Sequence, residues 1–395
     1  MAVRLNPLDP DFLADPYPTY ARLRDEAPVY RHPGGFVAVS GYADVQTVLR
    51  TPEVFSSRAM GGGPVRVRDP ESMPLGPGSL ISLDPPEHGR LRGIVSRGFT
   101  PRRIADLEPH ALAVVDELFA KFRHAGACDL VSTVSAPLPV TMIAELLGLD
   151  PERRDDFKRW SNALIVESTR PGSRDRMPEL MSMMRAFRSY LLTVIDARRE
   201  APADDLVSVL VHAEEADGAL DAVEVLSLAA LLLAAGSETT TNLIGNAVLA
   251  LLDRPEMLDA VARDPSRIPA VLEETLRWDS PVQLLMRATT QVTELGGVEI
   301  GRGTLVMVLI GAANRDSEQF PDGERFDPER TAAGHLGFGF GNHFCLGAAL
   351  ARLEARVALE RILADLPELK LAAPAERHGS FLVRGPKALD LRFTV

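Results

Sequence analysis

The chain has 395 residues, of which 46% are apolar and 25% are charged, and its formal net charge is −12. This composition is typical of a globular protein with a substantial core, and the length suits one large domain spanning residues 1–395. The negative charge argues against a nucleic-acid-binding surface, which is ordinarily basic.

Two cysteines, Cys128 and Cys345, are too few for a disulfide framework or for a four-cysteine zinc or iron–sulfur site. The first residues do not have the pattern of a signal peptide. The most apolar stretch, residues 226–236, is shorter than the ~20 residues that a membrane span needs, so we interpret it as part of a core helix. We therefore expect a cytoplasmic protein without a membrane segment.

The first predicted elements are a helix at 20–25, strands at 28–31 and 36–40, and a helix that begins near Ala43. Residues 59–80 are rich in glycine and proline, which predicts a mobile loop. Apolar residues then recur at helical spacing in 157–167 and in 180–195, with an Arg-Pro-Gly-Ser break between them.

Residues 219–252 predict one long helix, and its middle is apolar nearly all round, so we expect it to be buried. Strands are predicted at 292–300 and 304–309. A long loop, 314–337, precedes a helix over 346–364, and residues 380–393 alternate like a hairpin around Arg384-Gly385-Pro386. The predicted fold class is mainly α with small β-sheets (α+β).

The segment FGFGNHFCLGA, residues 338–348, runs directly into the predicted helix and places Cys345 near a helix N-terminus. Backbone N–H groups and the helix dipole there favour an anionic thiolate. Gly341 and Gly347 let the backbone approach a large flat group, and Phe338 can pack beside the sulfur. For an isolated cysteine, the alternative is a buried structural residue.

The long helix contains Glu238 and Thr239 within an apolar stretch, where polar side chains are costly unless they have partners or a role. Gly236 weakens the helix and permits a local kink. Elsewhere, Glu274 and Arg277 share a helix face and can pair. His88 and Arg92 are four residues apart and can bind carboxylates from one helix face. Each of these charged pairs is also typical of a solvated surface.

In combination these segments resemble the cytochrome P450 family. Residues 338–347 match its F-x-x-G-x-x-x-C-x-G signature, and AGSET at 235–239 matches A-G-x-[DE]-T. ETLR at 274–277, FDPER at 326–330 and HGRLR at 88–92 match its E-x-x-R, F-x-P-x-R and H-x-x-x-R motifs. The matches follow the family's order and, with the N-terminal DPYPTYARLR, cover nearly the whole chain.

The resemblance implies a P450 fold with haem b (iron protoporphyrin IX) between the long central helix and the helix after Cys345. It implies that Cys345 ligates the iron, with Phe338 and Gly347 beside the cofactor. Four basic side chains are implied to bind the haem propionates: His88, Arg92, Arg287 and His343. Thr239 is implied to hydrogen-bond dioxygen, Glu238 to supply protons and Gly236 to open the helix beside them.

The resemblance also implies a structural network of Glu274, Arg277 and Arg330, and it leaves the role of His335 open. The loop 59–80 and the helix pair within 151–199 are expected to form a substrate lid. Eight side chains are expected to line the substrate pocket: Leu231, Ala234, Ala235, Val282, Gln283, Leu285, Leu382 and Val383. Among them, Gln283 is the expected polar anchor.

The implied activity is that of a haem-thiolate monooxygenase, which hydroxylates or epoxidises a hydrophobic terpenoid, steroid, fatty acid or polyketide. Electrons would come from a separate ferredoxin or flavodoxin with its NAD(P)H-dependent reductase, docking near Arg92 and Arg352. We expect a monomer with no nucleic-acid or membrane partner. The alternatives are a peroxide-driven oxygenase and a haem gas sensor or carrier. The acid–threonine pair is typically missing from peroxide-driven oxygenases, and it would have no function in a sensor or carrier.

Overall fold

The computed structural model describes residues 3–58, 79–173, 175–213, 220–330 and 332–395. The predicted loop 59–80 lies outside these residues, apart from its last two positions. Helices account for most of the described chain. Their bounds are α1 Pro10–Ala14, α2 Tyr17–Glu26, α3 Tyr42–Arg50, α4 Glu87–Ser96, α5 Pro101–Asp106, α6 Glu108–Ala120, α7 Pro137–Leu146, α8 Arg154–Ile165, α9 Met177–Glu200, α10 Leu206–Val211, α11 Ala222–Leu252, α12 Pro255–Arg263, α13 Ile268–Trp278, α14 Ile310–Ala313 and α15 Ala348–Asp365.

The strands are short and form small sheets, as the sequence predicts. Their bounds are β1 Val29–Arg31, β2 Val37–Val39, β3 Phe55–Ser56, β4 Ala127–Asp129, β5 Leu285–Thr289, β6 Thr293–Leu295, β7 Val298–Ile300, β8 Leu305–Val308, β9 Lys370–Leu371, β10 Glu376–Arg377, β11 Pro386–Ala388 and β12 Asp390–Arg392. The largest sheet has the order β1-β2-β8-β5-β3, in which β2 and β8 are parallel. This pairing joins the N-terminal strands to the region that follows α13.

The long helix α11 passes through the centre of the fold. It begins with a capping box, in which Asp221 accepts a hydrogen bond from the Glu224 N–H and Glu224 accepts one from the Asp221 N–H. Contacts with α7, α8, α9, α13 and α15 surround it. Our expectation that no segment has the length and apolarity of a membrane span is wrong for α11, but 67% of its most apolar window is buried inside the fold, which fits a core helix.

Two local predictions need correction. The strand β5, in the middle of the large sheet, was not predicted, because its sequence LMRAT lacks the alternation of a half-buried strand. The predicted hairpin within 380–393 is wrong, because β11 pairs with β10 and β12 pairs with β4 and β9. Each strand therefore finds its partner outside the segment.

Candidate active site

The cysteine segment is a tight, glycine-dependent turn before α15. Gly341 has a φ of +68°, and a Cβ there would come within 2.8 Å of the Leu49 carbonyl oxygen. A side chain at this position would therefore be both strained and obstructed. The Cys345 N–H donates to the carbonyl of Phe338 (2.8 Å), which holds the cysteine across the turn and places it three residues before the first residue of α15.

Polar and charged groups around the sulfur counteract the effect of burial on the pKa of the Cys345 thiol. Burial raises the pKa of the Cys345 thiol, whereas a hydrogen bond from the Gly347 N–H and the guanidinium groups of Arg92 and Arg352 act to lower it. The N-terminal position that the sequence predicts is present, but it does not by itself outweigh desolvation. A positively charged group bonded to the sulfur would supply the missing stabilisation of the thiolate.

One face of α11 is open in an otherwise buried helix. Its residues from 225 to 251 are buried except for Ala235, which is exposed, and for Gly236 and Thr239, which are half-buried. These three positions follow the i, i+1, i+4 spacing of one helical face. Because α11 crosses the centre of the fold, this face lines an internal space. Gly347 also borders empty space, since a Cβ there would meet no described atom within 4 Å.

Three basic side chains meet in a buried position. His88 is 2% exposed, and its Nε2 has no hydrogen-bond partner among the described residues. Its ring centre lies 4.2 Å from that of His343. Burial, then Arg287 and His88, lower the pKa of His343 to about 3, and burial lowers the pKa of Arg287 to about 10. The nearby carboxylate, Asp84, accepts hydrogen bonds from Ser56 and Ser57.

This arrangement fits a haem. Among the described residues, Asp84 supplies a negative charge that acts on His88, Arg287 and His343. The two propionates of a haem would add further negative charge and would give His88 Nε2 a hydrogen-bond partner. His88, Arg287 and His343 would hold the propionates, and Cys345 would ligate the iron. Arg92 lies on the same helix as His88, and its guanidinium donates to the Phe344 carbonyl (2.6 Å), so it also ties α4 to the cysteine segment.

Glu238 is fully buried beside the open face of α11, and its partner is a lysine that the sequence analysis missed. Its Oε1 lies 2.9 Å from the ammonium group of Lys158 on α8. Its Oε2 is buried without a hydrogen-bond partner among the described residues. The Lys158 side chain is 33% exposed, so this ion pair joins a fully buried carboxylate to a partly accessible ammonium group.

The expected opening of the helix at Gly236 is absent from this structure. The helix is continuous through this position, and the Thr239 hydroxyl donates to the Ala235 carbonyl (2.9 Å). Gly236 instead permits close packing, because a Cβ there would lie 3.1 Å from Ile143 of α7.

The structure brings together the three residues of the predicted network, Glu274, Arg277 and Arg330. Glu274 and Arg277 form a doubly hydrogen-bonded pair with both side chains fully buried (2.7 Å for each bond). Arg277 also donates to the carbonyls of Asn314 and Gly323. Arg330 lies 3.7 Å from Glu274. These bonds fix α13 to the long loop that leads to the cysteine segment.

The predicted pocket residues divide into two groups. Ala235 is exposed, and three others are half-buried: Val282, Leu285 and Leu382. The remaining four are buried in protein contacts, which does not support a lining role for them: Leu231, Ala234, Gln283 and Val383. The amide nitrogen of Gln283, the expected polar anchor, donates to the Tyr17 hydroxyl (3.1 Å) and the Ser280 carbonyl (2.7 Å).

Known proteins resemble this chain over nearly its whole length. The family model described as Cytochrome P450 matches residues 156–367. The erythromycin C-12 hydroxylase of Saccharopolyspora erythraea is 43% identical, covering 93% of this chain and 92% of its own length. The vitamin D(3) 25-hydroxylase of Pseudonocardia autotrophica is 41% identical, covering 95% and 93%. The structure of cytochrome P450 CYP109Q5 from Chondromyces apiculatus superposes with a TM-score of 0.91 at 42% identity, covering 100% and 99%.

The fold and the site define a haem-thiolate protein. The chain belongs to the cytochrome P450 family and is a monooxygenase, as the sequence predicts. The predicted mainly α fold with small sheets is also confirmed. Members of this family carry a haem iron, which agrees with the fit of the basic cluster and Cys345 to that cofactor.

Proposed function

We propose that this protein binds haem b through Cys345 and uses dioxygen and external electrons to hydroxylate or epoxidise a large hydrophobic molecule. The observation that carries this proposal is the buried Glu238 carboxylate, one residue before Thr239 on the open face of α11. A carboxylate in that place is costly to bury. The cost of burying Glu238 is understandable if this carboxylate delivers protons. Dioxygen activation requires proton delivery, whereas peroxide-driven oxidation and gas binding do not.

The haem would supply the oxidation chemistry, and thiolate ligation favours cleavage of the O–O bond. The chain's own contribution is to hold Cys345 in its turn, to pair the propionates with His88, Arg287, His343 and Arg92, and to exclude water. Phe338 and Gly347 shape the cofactor's immediate surroundings. Glu274, Arg277 and Arg330 keep the loop before the cysteine in place.

We propose that protons reach the site through the Lys158–Glu238 pair. Glu238 is fully buried, so its contact with solvent runs through the partly exposed Lys158 side chain. The carboxylate must leave the ammonium group before it can turn toward the Thr239 hydroxyl. Since Lys158 belongs to α8, movement of the helix pair formed by α8 and α9 would couple lid opening to proton delivery.

The substrate is proposed to be a macrolide-like polyketide or a steroid-like molecule, with terpenoids and fatty acids as the other members of the class. Two relatives support this choice by name, since one hydroxylates erythromycin and the other vitamin D(3). The accessible predicted pocket residues are all apolar or small, namely Ala235, Val282, Leu285 and Leu382. Such a lining favours binding through apolar contact area rather than through charge.

Electrons are proposed to come from a separate ferredoxin or flavodoxin with its NAD(P)H-dependent reductase. The surface next to the cysteine supports an acidic donor, because Arg92 and Arg352 lie there and Phe344 is 41% exposed. Both guanidinium groups also bond to the chain itself, Arg352 to Glu273 and Arg92 to Phe344. We further propose a cytoplasmic monomer.

The test is reconstitution of the purified holoenzyme with ferredoxin, reductase and NADPH, using macrolide and steroid substrates chosen by their shift of the Soret band. We expect substrate-dependent NADPH consumption and a product that carries one atom from labelled dioxygen. Product formation with hydrogen peroxide alone, and none with the electron-transfer chain, would indicate the peroxide-driven alternative. Reversible dioxygen binding without product would indicate a sensor or carrier.

The matched variants T239A and T241A test the role of the open face. Both threonines donate to the carbonyl four residues earlier (2.9 Å each), but Thr241 is buried whereas Thr239 faces the internal space. We expect T239A to divert electrons from product to hydrogen peroxide and T241A to leave this ratio unchanged. Equal ratios in the two variants would contradict the role proposed for Thr239.

A further inference from the structure

Three polar side chains from different parts of the chain meet beside the cysteine segment. Glu273 lies on α13, His335 lies in the loop before the cysteine and Arg352 lies on α15. Arg352 donates to Glu273 through two nitrogens, Nε to Oε1 (2.6 Å) and Nη2 to Oε2 (2.9 Å). His335 Nε2 lies 3.0 Å from Glu273 Oε2. We call these three residues the proximal clamp.

The hydrogen bonds define the charge state of the clamp. His335 Nδ1 accepts from the Gly337 N–H (3.1 Å), so Nε2 carries the proton and donates to Glu273. Burial acts to raise the pKa of Glu273, but the hydrogen bonds from Arg352 and His335 outweigh it and lower the pKa to about 2. Glu273 is therefore anionic, and it neutralises Arg352 in a two-point pair whose geometry is fixed.

The clamp touches the surroundings of the sulfur through Phe338. The guanidinium carbon of Arg352 lies 4.5 Å from the centre of the Phe338 ring. The carbonyl of Phe338 accepts the hydrogen bond from the Cys345 N–H. The charge of Arg352 also acts directly on the cysteine sulfur. Glu273 thus determines where a positive charge and an aromatic ring lie relative to Cys345.

We propose that Glu273, Arg352 and His335 are positioning residues that set the reduction potential of the iron bound to Cys345. The proposal rests on the ligation of haem iron by Cys345. Reduction adds negative charge to the iron–thiolate unit, so an uncompensated positive charge nearby favours the reduced form and a negative charge favours the oxidised form. The cation of Arg352 and the carboxylate of Glu273 therefore shift the reduction potential in opposite directions.

The test is the ferric–ferrous reduction potential of purified holoenzymes, measured by spectroelectrochemical titration at one ionic strength. E273Q leaves the charge of Arg352 uncompensated and is expected to shift the potential to a more positive value. R352Q leaves the charge of Glu273 uncompensated and is expected to shift the potential to a more negative value. The double variant E273Q/R352Q loses both charges and is expected to lie between the single variants.

The matched control is R356Q, one turn further along α15. Arg356 also bonds two carboxylates, Glu108 (2.7 Å) and Glu360 (3.0 Å), so its removal reproduces the loss of a paired cation from the same helix. We expect no shift in R356Q. E273D and R352K retain both charges and should remain nearer the wild-type potential than E273Q and R352Q.

Shifts of the same sign in E273Q and R352Q, or shifts no larger than that of R356Q, would overturn the proposal. Loss of haem from E273Q or R352Q would also overturn it, because the clamp would then act on haem retention. The spectrum of the reduced wild-type protein under carbon monoxide separates this failure from a failure of the proposed ligation. Absence of the red-shifted thiolate band in the wild type would reject Cys345 as the ligand.

Discussion

The ion pair between Lys158 and Glu238 makes an asymmetric prediction about stability. The two charges lie 2.9 Å apart, with Glu238 fully buried and the Lys158 side chain 33% exposed. At an effective dielectric constant of ~20 such a pair gains about 6 kcal/mol before desolvation is counted. K158M leaves the buried carboxylate without its partner, which costs about 3–5 kcal/mol in a dry interior. Because solvent reaches the lysine end, we expect a loss of about 2 kcal/mol in the free energy of unfolding.

Removing the other member of the pair should reduce the free energy of unfolding by less. E238Q removes the charge that cannot reach water and leaves an ammonium group that can, so we expect a loss below ~1 kcal/mol. The control is R159M, since the neighbouring Arg159 is 70% exposed and pairs with Asp156; we expect a change within ~0.5 kcal/mol. The assay is urea unfolding of the holoenzymes at pH 7.5. A loss in E238Q that equals or exceeds that in K158M, or a loss in K158M no larger than in R159M, would refute the reasoning.

Three further variants test other buried titratable side chains. R287Q should weaken haem retention by ~10- to 100-fold, measured as haem transfer to an acceptor protein, because the proposed charge-assisted bond between Arg287 and a propionate would be lost. The haem-free chain should gain stability, since burial already lowers the pKa of Arg287 to about 10. E274Q leaves the fully buried Arg277 without its carboxylate and should cost about 3 kcal/mol in urea unfolding, or prevent recovery of folded protein. Burial, then Lys158 and Arg170, lower the pKa of His378 to about 4. The free energy of unfolding that His378 contributes is therefore complete above about pH 7 and decreases by up to ~2 kcal/mol at pH 5. H378N should show a smaller decrease in melting temperature than the wild type between these two pH values.

Local spacing predicted which side chains of the site are neighbours, and the resemblance to the cytochrome P450 family implied their roles. The cysteine turn, the acid–threonine pair and the Glu274–Arg277 pair each lie within a few residues of sequence, where helix geometry and turn chemistry decide which side chains are neighbours. The length and burial of α11 were also predictable, because its apolar residues surround the helix on all sides. The structure shows the predicted burial of α11 and brings Glu274 and Arg277 together.

Contacts between distant segments were not predictable. Lys158 and Glu238 are separated by 80 residues, and no spacing rule relates α8 to the central helix α11. Gln283 is predicted to line the pocket, but its amide nitrogen donates to the Tyr17 hydroxyl and the Ser280 carbonyl. Its amide oxygen is buried without a hydrogen-bond partner among the described residues, and no local pattern predicts this packing. The strands β11 and β12 likewise pair with partners outside their own segment.

The amino-acid order decided the helices and the cysteine turn, since these depend on interactions over one or two turns of backbone. It also carried the motifs by which the chain resembles the cytochrome P450 family. Packing decided which charges meet, as in the proximal clamp, where His335 and Arg352 both bond to the carboxylate of Glu273. The physical reason is that desolvation and ion pairing depend on distance in space. A linear pattern records that distance only when the partners lie on the same element.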